Sequence, residues 1–401
     1  MTDYSAGSHV AAALRDGGVR RVWGAETPFD GVPFVAVAEP ELAALLAGAD
    51  AALHGVGCSS DGRGVLRLHA APGGNPDVHV AVDDARLVAA AVRRALGDVG
   101  FGVDVTLAID VDPTAPCPTS SSDVLVPEPD PDPVIPDDVL HALSAPDAIV
   151  VAGPGVLRDG VVAELRRLAV AANVGVLNTW GAKGLFAWTD PHHLATGGLQ
   201  RDDFALAGAA GGTVVAVGVD PAETTGLGDP TATLACQAVA AVTDATVRRG
   251  GRIDVPPLRS ALETVVARWW SAPPSRRPSP AVVTRAYAEL VGAGGLVAAE
   301  PGDAGFWVAR TFPTLRPRQA VVPARVTPGV AVATAYVARL GDASRRALAV
   351  TDRSSPVDDA VVRIAELAGL PLTTVYWDDA ADDRLDVHLA ALDAAWRNGG
   401  G

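Results

Sequence analysis

The chain is 401 residues long and 49% hydrophobic, with a formal net charge of −15. Such a length exceeds one ordinary core and suits two or three domains. The acidic balance, with no basic run longer than two residues, excludes a nucleic-acid partner, whose phosphates would need neutralising. Cys58, Cys117 and Cys236 are too few and too far apart for a disulfide framework or a metal pattern. No uninterrupted apolar span approaches the roughly twenty residues of a membrane helix. The N-terminus lacks the basic-then-apolar layout of a signal peptide, so a soluble, cytoplasmic protein that spans no membrane is expected.

Along the chain, residues 9–16 carry helical spacing, 19–23 and 33–37 read as strands, and 41–53 returns to helix. Residues 65–69 predict a strand, 85–96 a helix and 105–109 a strand. Eight prolines between Asp112 and Pro136 then rule out a helix or central strand and predict an extended connector. Beyond it, 148–151 is an apolar strand running into Gly153, Pro154 and Gly155, followed by a helix over 161–172 and strands over 175–178 and 213–219. Four prolines between Ser271 and Pro280 mark a second break. The last segment gives helix 281–291, strand 295–299, helix 328–339, strand 346–351, helix 357–368 and strand 372–376. The expected domains are 1–112, 137–270 and 281–401, separated by linkers 113–136 and 271–280. Strands alternating with helices predict an α/β fold of three doubly wound, mostly parallel sheets, with ligands gathering beyond the strands' carboxyl ends.

The order of signals resembles the thiamine-diphosphate-dependent enzyme family, in its acetolactate synthase and 2-oxoacid decarboxylase branch, shortened and divergent. The middle segment carries it most fully: Val150 to Val156 around the glycine turn, Asn178 to Gly184, Gly198 to Asp203, and Val215 to Asp220. In the first segment, Gly17 to Gly24 resembles the opening of the family's pyrimidine-binding domain, and Gly64 to Asn75 its strand and glycine-rich turn. A helix, a strand and a loop usual in relatives are missing after that turn. In the third, Ala299 to Gly305 resembles the start of the diphosphate-binding domain, and Thr327-Pro328-Gly329 its glycine turn.

The resemblance implies thiamine diphosphate with Mg²⁺ and carbon–carbon bond chemistry on a 2-oxoacid. It makes Glu39 the cofactor-activating carboxylate, at a strand exit shielded by Val37 and Leu42. It places the cofactor against Pro72, Gly73, Gly74 and Asn75 and against Gly329, Arg353 and Ser354, with Asp352 and Asp378 as metal ligands. Relatives carry glycines where Thr351 and Arg353 stand, and an asparagine where Asp378 stands, so the metal and diphosphate motif is weakened. Asp352 to Ser355 reads more readily as a polar loop after a strand, and Glu39 before Pro40 as an ordinary helix start. Gly153, Gly155, Lys183 and Arg201 fall where relatives face FAD, although a glycine turn more often only closes a tight connection. Lys183 is the sole lysine.

Three functions follow: a family enzyme with weakened motifs, whose independent carboligase or decarboxylase activity is doubtful; a non-catalytic scaffold or regulatory subunit of an intact family member; or an FAD- or ADP-binding module using the central segment. Because family sites form between chains, a homodimer, a homotetramer or such a heteromer is expected. No Ser/His/Asp set with a nucleophile turn is visible. His192-His193 reads as a loop without metal partners, and His69 and His79 flank the Pro72–Asn75 turn.

Overall fold

The computed structural model describes residues 4–26, 29, 31–62, 64–70, 77–100, 102–117, 135–207, 209, 211–223, 226–248, 261–271 and 279–377. Pro72, Gly73, Gly74, Asn75 and Asp378 lie outside these residues, as does most of each proline-rich segment. The chain forms two compact units, Met1–Asp132 and Pro133–Gly401. It is α/β throughout, with several mostly parallel sheets. Among the described residues no helix is long and apolar enough to cross a membrane.

In the first unit the described elements run β1 (Tyr4–Ser5), α1 (Ala6–Asp16), β2 (Val22–Gly24), β3 (Phe34–Ala36), α2 (Pro40–His54), β4 (Gly57–Ser60), β5 (Val65–His69), β6 (Asp77–Val82), α3 (Val88–Gly100), β7 (Asp104–Ile109) and β8 (Pro116–Cys117). Six of the strands form one sheet in the order β3-β2-β4-β5-β7-β6. Its pairings are parallel except at β5, which is antiparallel to β4 and β7. Strands β4 and β5 form a hairpin, in which the Val65 amide donates to Asp61. The sheet is therefore mixed, because a hairpin cannot join parallel strands. Val10, Leu14, Val92, Leu66, Leu68, Val105 and Leu107 pack as its core. Four strands of this unit are new relative to the sequence reading: the two-residue β1 and β8, which pair with each other, β4, whose Gly-Cys-Ser-Ser lacks a β-branched signal, and β6, within the stretch expected to be truncated.

The second unit holds two all-parallel sheets. The central one comprises α4 (Asp137–Leu143), β9 (Ile149–Ala152), α5 (Gly155–Arg158), α6 (Val162–Ala172), β10 (Gly175–Thr179), β11 (His193–Gly197), α7 (Asp203–Leu206), β12 (Val214–Val217), β13 (Ala232–Leu234), α8 (Val239–Arg248) and α9 (Ala261–Trp270), with strand order β11-β10-β9-β12-β13. Strands β9, β10, β11 and β12 are buried at every position, as a sheet covered on both faces requires. His193 begins β11 rather than lying in a loop, and its ring stacks beside Trp188.

The other sheet comprises α10 (Pro280–Val291), β14 (Leu296–Ala299), α11 (Asp303–Thr311), β15 (Ala320–Val321), α12 (Val330–Gly341), β16 (Ala347–Thr351), α13 (Pro356–Leu367) and β17 (Thr373–Tyr376), ordered β15-β14-β16-β17. A fully buried ion pair ties the two sheets together. Arg310 of α11 donates to both Asp203 oxygens at 2.7 Å and to the Thr196 carbonyl at 2.9 Å. Asp203 also accepts the Leu199 and Gln200 amides at 2.8 Å, so the desolvation of both charges is offset by several hydrogen bonds. Trp269 and Trp270 add edge contacts to Trp307 and Trp188.

Candidate functional site

The carboxyl edge of the third sheet is where the order of its strands turns, between β14 and β16, and where α11, α12 and α13 begin. Helix starts leave backbone N–H groups without partners, and in such folds they commonly receive an anion. Here the chain supplies the acceptors. Asp352, just beyond β16, accepts the Asp303 amide at 3.0 Å and the Ala304 amide at 2.8 Å, at the first turn of α11. Gly302 makes room beside it, since a Cβ there would push the Asp352 carboxylate aside. Glu300, just beyond β14, accepts the Gly329 amide at 2.6 Å where α12 starts. At α13, Ser355 and Asp358 close a capping box on each other's amides.

Three carboxylates therefore stand along this edge. Burial pushes the Glu300 pKa up to about 7, and the Asp358 and Asp352 charges add to the rise, against the Gly329 amide that lowers it. Asp358 is wholly buried, and its second oxygen has no partner. Burial also raises its pKa. The turn after β16 is closed by the Thr351 hydroxyl donating to the Arg353 carbonyl at 3.0 Å. Arg353 and Ser354 are exposed, and Ser354 hydrogen-bonds Tyr376. Among the described residues, no three His, Cys, Asp or Glu side chains converge to hold a metal ion. These residues do not fit a diphosphate: its place at the helix starts is filled, and the filling groups share its sign of charge.

In the central sheet, the glycine turn closes on the protein itself. Gly153 donates to the Val217 carbonyl at 2.9 Å and Gly155 to the Gly218 carbonyl at 2.8 Å. A Cβ at either would strike the Gly218–Val219 backbone, so these glycines serve close packing of two loops. Lys183, expected near a ligand groove, is 1% exposed. Its amine donates to Thr196 at 3.2 Å and lies 5.8 Å from the Trp188 ring centre. Arg201, its expected companion, is on the surface. The nearest thing to a site here is Glu223, which accepts from the Thr179 hydroxyl and the Gly181 amide, each at 2.6 Å. Desolvation pushes its pKa up to about 8.

Residues 139–265 match the family model described as thiamine pyrophosphate enzyme, central domain. The middle of this chain is similar to such a domain. No curated protein matches the chain. The match covers the sheet β11-β10-β9-β12-β13 and reaches into α9, with Glu223 and the closed glycine turn inside it.

In the first unit, Glu39 caps α2 without a side-chain hydrogen bond and is exposed. The shielding expected from Val37 and Leu42 does not reach it, because both are drawn into the core and leave it outside. The buried carboxylate on α2 is instead Asp50, which receives Trp23 at 3.1 Å, Arg21 at 3.2 Å and His54 at 2.6 Å. Sequence reading also missed a series across β4, β5 and β7: Ser59 Oγ lies 2.9 Å from His69 Nε2, and His69 Nδ1 lies 3.7 Å from Asp104. All three are less than a tenth exposed, so the series is a packed polar network of the sheet. His79 is exposed.

Proposed function

We propose that this protein is a divergent relative of the acetolactate-synthase-like thiamine-diphosphate enzymes that serves as a non-catalytic scaffold or regulatory subunit, not as an independent carboligase or decarboxylase. What supports the reading is Asp352. The residue that the resemblance offers to a metal ion spends both carboxylate oxygens on the first amides of α11. A ligand-bearing carboxylate needs free lone pairs directed at the cation, and this one is committed to structure. On the pyrimidine side, Glu39 is exposed in this chain and makes no side-chain hydrogen bond where it caps α2.

The scaffold, by contrast, is well kept: two parallel sheets joined by the Arg310–Asp203 pair, with the central domain intact. Such a body can present a surface to a partner that carries the complete chemistry. A ligand that binds only the native state raises its stability. Thiamine diphosphate with Mg²⁺ is therefore expected to leave the melting temperature of the isolated chain unchanged, and 2-oxoacids unconsumed. Isolation from the native host is expected to bring an intact family member with it. Turnover of a 2-oxoacid by the purified chain, or its recovery only as a self-assembly, would defeat the proposal.

A further inference from the structure

We infer that Glu300 and Asp352 are built-in substitutes for a bound anion, and that their carboxylates close the third sheet's carboxyl edge to diphosphates. The inference deepens the scaffold reading, on which it rests, by naming the two residues responsible for the loss.

Helices α11 and α12 both begin at this edge, α11 after β14 and α12 after β15. Each N-terminus concentrates positive partial charge and carries N–H donors that must find acceptors. A bound phosphate is one solution; a side-chain carboxylate is another, and it removes the first. Asp352 reaches from the end of β16 to α11, and Glu300 reaches from the end of β14 to α12, so each strand satisfies a helix other than the one in register behind it. This exchange is self-consistent. Gly302 leaves room for the Asp352 carboxylate, which any side chain at 302 would displace. Gly329 adopts φ 84°, which turns its amide into the start of α12, where Glu300 meets it.

Electrostatics acts in the same direction. Glu300 feels the charges of both Asp358, buried beneath the same edge, and Asp352. An entering diphosphate would meet the Asp352, Glu300 and Asp358 carboxyl groups along one edge, and every charge among them would repel it. It would also have to displace two charge-assisted hydrogen-bonding groups, which are among the stronger kind.

The test uses the full chain and inorganic pyrophosphate with Mg²⁺, followed by thermal unfolding. At about 5 mM pyrophosphate the unaltered protein is expected to show no rise in melting temperature. Glu300→Ala and Asp352→Ala, singly and together, free the helix amides and are expected to gain a rise of about 2 °C or more. If an alanine variant does not fold by circular dichroism, Glu300→Gln with Asp352→Asn removes the charge while keeping the shape, and must show the gain instead. A rise in the unaltered protein overturns the inference, and so does silence from every folded variant. Neither result depends on whether a partner subunit is found, so this inference and the scaffold proposal fail separately.

Discussion

Glu223 lies fully buried at the carboxyl end of β10, held by Thr179 and Gly181, with its pKa pushed from 4.5 up to about 8 by desolvation. Between those two values the folded protein keeps a proton that the unfolded chain has released. Stability attributable to Glu223 therefore falls as pH rises from 4.5 to about 8, then stays level. Glu300 adds a slope of the same sign that ends near pH 7. Chemical denaturation of Glu223→Gln is expected to lose the part of the slope between pH 7 and pH 8, and to be more stable than the parent at pH 8 by on the order of a few kcal/mol. An unchanged slope would refute the burial account. At this scale the sequence located candidates but not their surroundings. Lys183 stood out as the only lysine, yet its burial against Trp188 and Thr196 depends on β11, for which 193–197 gave no separate signal. Ser59, His69 and Asp104 come from three strands, and nothing local shows that β5 will bring them into line.

At the scale of elements, Arg310 joins α11 to α7 and the end of β11, and Asp203 is its counter-charge. Arg310→Ala leaves a buried carboxylate unpaired and is expected to cost about 3–5 kcal/mol in urea unfolding. Replacing both residues with apolar ones should recover much of that loss, and a double variant as weak as the single would argue against an electrostatic origin. Gly302→Ala is expected to push Asp352 off α11 and destabilise the protein by about 1–3 kcal/mol, with the loss reduced when Asp352→Ala is combined with it. Elements with local signals were legible almost to the residue. Helices α10 and α13 start one residue before the expected 281 and 357, each behind a Ser-Pro cap, Ser279-Pro280 and Ser355-Pro356, that the reading of the sequence did not use. The elements α11, β15, β11 and β13 are short and gain their definition from neighbours in the sheet, which a pattern of apolar residues cannot supply.

At the scale of the molecule, the chain divides at Asp132 and Pro133, and each part owns a core. Residues 133–401 expressed alone are expected to unfold in a cooperative transition; a broad, non-cooperative melt would mean that the first unit is needed for the second to hold. The α/β class was legible because buried parallel strands announce themselves as apolar runs such as 149–152, 214–217 and 347–351. The reversed strand β5 was not, since orientation leaves no mark on composition. It has a consequence for the order of events during folding. The hairpin of β4 and β5 has only four residues between its strands, whereas every parallel pairing must wait for a longer connection and bear its larger entropy of closure. In a refolding experiment with pulsed deuterium labelling, the amides of Cys58 to Leu68 should be protected before those of β2 and β3, so the one strand that runs against the rest becomes the seed around which the first sheet assembles.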